Sequence, residues 1–288
     1  MISCLLALFS CVIALCGCVG PTASQVGSTS DARAEFSDDA YHLIIEGADH
    51  EALYTLVGGL KPMSNGIWRG SIQTESPDLT ELRHVRSALA PLRNQTWYAD
   101  VQVFHSAQDG KRYAEAYVVH RAALARMMES YSSFWNRWGV TPETHPAEVV
   151  AVVDRMPKAE RWRGYGYLFG YPVDAVDFFV AAGMAAEGGR EIGSGKDRKF
   201  IHLPTYSAAT GRFTYAVAMD HASTHADKAL ASQARLILEA YRLRRGMIHD
   251  VKEAILEFQR LNQRFEPAAM TAAHTRDTRQ SELASPRK

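Results

Sequence analysis

Four side chains that can bind a metal or move a proton crowd into the stretch MDHASTHAD: Asp220, His221, His225 and Asp227. On a continuous helix His221 and His225 stand one turn apart on one face. Two neutral imidazoles at that spacing can share a divalent cation with a carboxylate such as Asp227, as an exported metal-dependent hydrolase would require. The same letters carry a second reading. Thr224 followed three residues later by Asp227 has the form of a helix start, with the hydroxyl as N-cap and the acid reaching back, and this leaves His221 outside the helix. No Glu follows the first His and spacing places no third ligand, so capping is the preferred reading.

Three other stretches hold residues suited to recognising a ligand. In RGYGYLFGYP, Tyr165, Tyr167, Phe169 and Tyr171 surround three glycines. Rings on a flexible backbone can stack on a sugar or peptide, and rings at alternate positions equally serve as core and boundary residues. In GGLKPMSNGIWRG, Lys61 and Trp68 are the candidate contacts of a glycine-punctuated loop, whose plain reading is a helix stop and a turn. In GGREIGSGKDRK, the GSGK tetrad invites a phosphate-loop reading, but Arg190 and Asp197 occupy positions that need Gly and Ser or Thr. What remains is a basic loop in which Arg190, Lys196, Arg198 and Lys199 can meet an anion. His105 extends the apolar phase of a strand, where a lone His is ordinarily a hydrogen-bonded boundary residue. A serine nucleophile finds no Gly-x-Ser-x-Gly elbow.

The cysteines are more informative. All four, Cys4, Cys11, Cys16 and Cys18, fall at the start of a chain of 288 residues. The stretch from Ile2 to Gly20 carries no charge, and Cys4 to Leu15 is apolar apart from Ser10. That length suits the hydrophobic region of a secretory signal better than a spanning helix, although no Lys or Arg precedes it. Leu15-Cys16-Gly17-Cys18 then resembles the lipobox of bacterial lipoproteins. The resemblance implies that a diacylglyceryl group is attached to the Cys18 thiol, that a signal peptidase cuts just before it, and that the lipid bilayer is a partner. It covers about twenty residues and implies nothing about the fold beyond them. Val19, at the second mature position, is not the Asp that resembles an inner-membrane retention signal, so the outer membrane is the preferred address. With Cys18 consumed by lipid, the mature chain would have no thiol left for a disulfide, a thiolate metal site or a nucleophile.

Lys plus Arg and Asp plus Glu each total 32, so no net field draws the chain to nucleic acid. A hydrophobic fraction of 47% is enough for a packed core. The expected organisation is a signal peptide over 1–17, a flexible linker over 18–37, one domain over 38–265 and a disordered tail over 266–288. Within the domain, alternation in TWYADVQVFHSAQDGKRYAEAYVVH, with Asp109-Gly110 as its turn, predicts a hairpin. FIHLPTYSAATGRFTYAVAMD predicts a second, turning near Thr210-Gly211. Apolar residues at three- and four-residue steps predict about six helices: one or two before Gly58 and Gly59, one through Leu79 to Leu89, one over 121–138, one capped by Thr144, and two short ones separated near Gly170 to Pro172. The last is a long amphipathic helix over 225–265 with a break at Gly246. The fold class is therefore α+β, an antiparallel sheet of two hairpins covered by helices. The function expected from these features is a membrane-anchored envelope lipoprotein with a binding or structural domain and an envelope protein or glycan as partner. No cofactor is expected beyond the divalent metal of the hydrolase alternative.

Overall fold

The computed structural model describes residues 29–187 and 198–265. The signal peptide, Cys18, the GSGK tetrad and the tail from 266 lie outside these residues, as does the first part of the expected linker. Helical backbone begins at Thr29, inside the stretch read as linker, with α1 running Thr29–Asp49. Then follow α2 (Leu53–Leu56), β1 (Met63–Gln73), α3 (Thr80–Ala88), β2 (Trp97–Gln108), β3 (Lys111–His120), α4 (Arg121–Ser130) and α5 (Ser132–Trp135). The remainder is α6 (Pro146–Arg155), α7 (Lys158–Leu168), α8 (Val173–Glu187), β4 (Arg198–Leu203), β5 (Phe213–Ala218), α9 (His225–Arg245) and α10 over 251–265. The α+β class holds.

Both expected hairpins form, but they do not join into one sheet. β2 and β3 pair antiparallel around Asp109 and Gly110, both at positive φ, while β4 and β5 make a separate two-stranded ribbon. The strand beside β3 is β1, giving the order β1-β3-β2. β1 occupies the stretch read as a functional loop or turn. It escaped the period-two pattern because its register shifts between Asn65 and Arg69, where Gly66 sits at φ 72°.

Alternation along this sheet separates two cores. Trp97, Ala99 and Val101 of β2 with Ala114, Ala116 and Val118 of β3 face one core, which also holds Ile44, Leu53, Phe213, Ile237 and Tyr241. Tyr117 and Val119 of β3 with Met63 of β1 face the other, built from Leu124, Trp135, Val149, Val153 and Leu168. Helices thus cover both faces, and the central strand β3 buries both sets of its side chains over its second half.

One helix start and one helix interior differ from expectation. Thr144 is not the cap of α6: its hydroxyl accepts from the Thr141 amide, and His145 caps the helix with Pro146 at the first turn. The helix expected over 121–138 is interrupted at Tyr131, whose ψ of 33° leaves the helical range. His120 caps α4 by accepting from the Ala123 amide at 3.2 Å. By contrast, the break at Gly246 occurs as expected.

Candidate functional site

Among the described residues Lys61 is a fully buried lysine. Gly58 and Gly59, at φ 73° and 58°, turn the chain sharply after α2, and the Lys61 amide donates to the Tyr54 carbonyl at 3.0 Å. This places Lys61 at the entrance to β1, where the two cores meet, with 0% of the residue exposed. Its ammonium donates to Glu51 Oε2, and Glu51 keeps 22% of its side chain exposed. Three rings surround the amine: Phe213 at 4.6 Å, Phe169 at 5.3 Å and Tyr171 at 5.9 Å from Nζ to the centroid. Such faces attract a cation, most strongly when water is excluded.

Burial pushes the Lys61 amine below the usual lysine range, against the pull of the Glu51 charge and hydrogen bond. Burial pushes the Tyr171 phenol well up, and the Glu51 charge adds to this. Around the pair, Thr55 and Ser64 hydroxyls bond at 2.8 Å, and Ser64 Oγ donates to the Glu51 carbonyl at 3.2 Å. On the neighbouring β3, Glu115 accepts from Asn65 at 2.7 Å and Arg69 at 3.0 Å; burial still raises its carboxyl above the ordinary value. A buried amine held low can be a nucleophile or a base when a reactant reaches it. Here the rings and Glu51 occupy the space around Nζ, so the arrangement ties the α2–β1 loop to β5 and to the chain between α7 and α8.

Lys61 and Tyr171 were candidates from separate stretches, and the fold brings them together. The other candidates go elsewhere. Trp68 lies on β1 and donates from Nε1 to Glu81 at 3.1 Å. The Tyr165 hydroxyl accepts from Gln102 Nε2 at 2.7 Å, and Tyr167 stacks on Tyr131 with centroids 4.0 Å apart. None of the rings at 165, 167, 169 and 171 is left exposed, so they pack as core and boundary residues. Arg198 begins β4 opposite Ala218. His105 is exposed, and its amide donates to Asp154 Oδ2 at 2.6 Å.

The histidine stretch takes the capping form. Thr224 Oγ1 accepts from the Asp227 amide, and Asp227 Oδ2 accepts from the Thr224 amide and hydroxyl, both at 2.8 Å. The same oxygen bonds His221 Nε2 at 2.8 Å, while Oδ1 accepts from the Tyr215 hydroxyl at 2.7 Å. Burial opposes the Asp227 charge, but these hydrogen bonds outweigh it and hold its carboxyl at about 2. A cation here must compete with those partners, and His225 stands exposed at the first turn of α9. Among the described residues no group of three His, Cys, Asp or Glu side chains is arranged to hold a metal ion.

Phe169 belongs to the same ring stretch as Tyr171, while Glu51 and Phe213 complete the lysine cage without a sequence signal of their own: Glu51 lies ten residues before Lys61, and Phe213 more than a hundred after it. Among the described residues no helix is long and apolar enough to cross a membrane. Comparison of the chain with family models, with curated proteins and with solved structures finds no match.

Proposed function

We propose that the chain is a bacterial envelope lipoprotein, tethered to a membrane through lipid on Cys18, whose domain works by binding or scaffolding. The observation that carries this reading is Leu15-Cys16-Gly17-Cys18 directly behind an uncharged apolar run, in a chain with no later cysteine. Two acyl chains or more hold a protein firmly, since each buried methylene is worth about 0.8 kcal/mol. The domain's reactive side chains support a non-catalytic role: Lys61 is enclosed by Glu51 and three rings, and Asp227 is bonded at both oxygens. Val19 favours the outer membrane of a two-membrane cell.

Intact mass and cell fractionation of the wild type and Cys18→Ser test the reading. The wild type should carry diacylglyceryl mass and sediment with membranes, and Cys18→Ser should lose both. Equal mass after processing and equal membrane retention would sink it.

A further inference from the structure

His120 is held by hydrogen bonds at both ring nitrogens. The residue stands where β3 passes into α4 and is 1% exposed. Its Nδ1 accepts from the Ala123 amide at 3.2 Å, and its Nε2 lies 3.2 Å from Oδ1 of buried Asn262 on α10. That same oxygen accepts from the Gly58 amide at 2.8 Å. Ala123 and Gly58 both present backbone N–H groups, so Nδ1 must keep its lone pair and the ring proton must sit on Nε2, donating to Asn262. The node therefore takes one form of the ring, the neutral Nε2–H tautomer.

Three segments meet here. The α2–β1 turn contributes Gly58 and Gly59, and a Cβ at Gly59 would come within 3.1 Å of the ring. β3 is fixed by pairing on both sides, and the His120 amide donates to the Pro62 carbonyl at 2.9 Å. α10 follows the turn over 246–250 and reaches the node through Asn262 and through Phe265, which packs on Gly58. The turn and β3 are tied into the sheet, whereas α10 holds its place by side-chain packing and by this node. It is the segment that can move.

Among the described residues set against the ring, Gly59, Ala123, Asn262 and the cross-strand partner Trp97 carry no charge. The charged side chains nearest in sequence on those segments are engaged elsewhere. Lys61 bonds Glu51, Arg121 donates to the Asn94 and Trp97 carbonyls, Arg260 pairs with Glu257, and Arg264 lies over the Phe265 ring. Protonating His120 adds an N–H at Nδ1, aimed at the Ala123 amide. This removes the cap of α4 and sets two donors against each other in a buried site.

We propose that His120 is an acid-sensitive latch: the neutral ring holds α10 on the α2–β1 turn, and protonation releases that helix, uncovering Phe258 and Leu261 of the first core. The latch is independent of a lipid anchor on Cys18. The closed node takes only the neutral ring and the open one takes either, so the latch is complete above the ordinary histidine value of about 6.5 and weakens as pH falls through it. From about pH 7 to about pH 5 the opening constant rises by up to about twentyfold.

Hydrogen exchange on the full chain tests this, read as protection factors so that the intrinsic pH dependence of exchange drops out. In the wild type, protection of α10 should fall by about threefold or more over that range, and α10 should be less protected than β2 and β3 throughout. His120→Asn keeps a capping oxygen that does not titrate, and its α10 protection should hold within about twofold. A smaller fall in the wild type, an equal fall in His120→Asn, or α10 opening only together with the sheet would overturn the proposal. Nitrogen chemical shifts of the wild-type ring need no variant. At about pH 7 they should show a proton on Nε2 and none on Nδ1, and the reverse tautomer or a charged ring would equally overturn it.

Discussion

Replacing Glu51 with Gln removes the carboxylate bonded to the Lys61 ammonium and leaves a buried charge facing three rings. Breaking such a pair costs about 3 to 5 kcal/mol, so urea unfolding at neutral pH should register a loss of that size. The folded amine already sits below the ordinary lysine value and must fall further in Glu51→Gln. The unfolded chain then binds more protons than the folded one, so the variant should regain stability as pH rises toward the ordinary lysine range. Lys61→Met, which fills the cage with an uncharged chain and leaves Glu51 at the surface edge, should cost less than Glu51→Gln. The reverse order would refute a structural ion pair. Asp227 gives the same sign of slope from the opposite cause, because folding favours its charged form. Its carboxyl is held at about 2 in the folded state, so its contribution is complete above the unfolded value near 4 and disappears as pH falls toward 2. Asp227→Asn should flatten the acid limb of the stability curve over that window.

At the scale of elements, local chemistry and tertiary crowding can be separated by substitution. Thr224→Ala removes the capping hydroxyl of α9 and should cost about 1 kcal/mol. Gly59 is held by tertiary crowding as well as by φ: a Cβ there would lie 2.9 Å from that of Ala123 and 3.1 Å from the His120 ring. Gly211, at φ 86°, has nothing within 4 Å of the same position. Gly59→Ala should therefore cost about 2 to 4 kcal/mol, and Gly211→Ala only the backbone penalty of about 1 to 2. Equal losses in thermal unfolding would contradict this account. The cap at Thr224, the turn at Asp109-Gly110 and the break at Gly246 were legible because each depends on neighbours within a few residues. β1 was not, since Gly66 and the register shift after Asn65 erase its alternation. Pairing with β3 is what makes that stretch a strand.

For the molecule as a whole, the three-stranded sheet belongs to both cores. Val118 faces one and its neighbour Val119 the other, and both are fully buried. Val118→Ala and Val119→Ala should each cost about 2 kcal/mol. Each should move tryptophan fluorescence and far-UV circular dichroism to one shared midpoint, because neither core keeps a wall once the sheet is lost. Separate midpoints would divide the domain in two. The sequence by itself determined the α+β class, both hairpins, the capped final helix with its break and the confinement of cysteine to the first 18 residues. These are properties of short windows, where periodicity and turn chemistry act. Only the tertiary structure decided that the hairpins lie in separate sheets, that β1 exists, and that Lys61 and Tyr171 share a cage with Glu51, Phe169 and Phe213. Those outcomes depend on which distant segments exclude water together, and no local pattern encodes that choice.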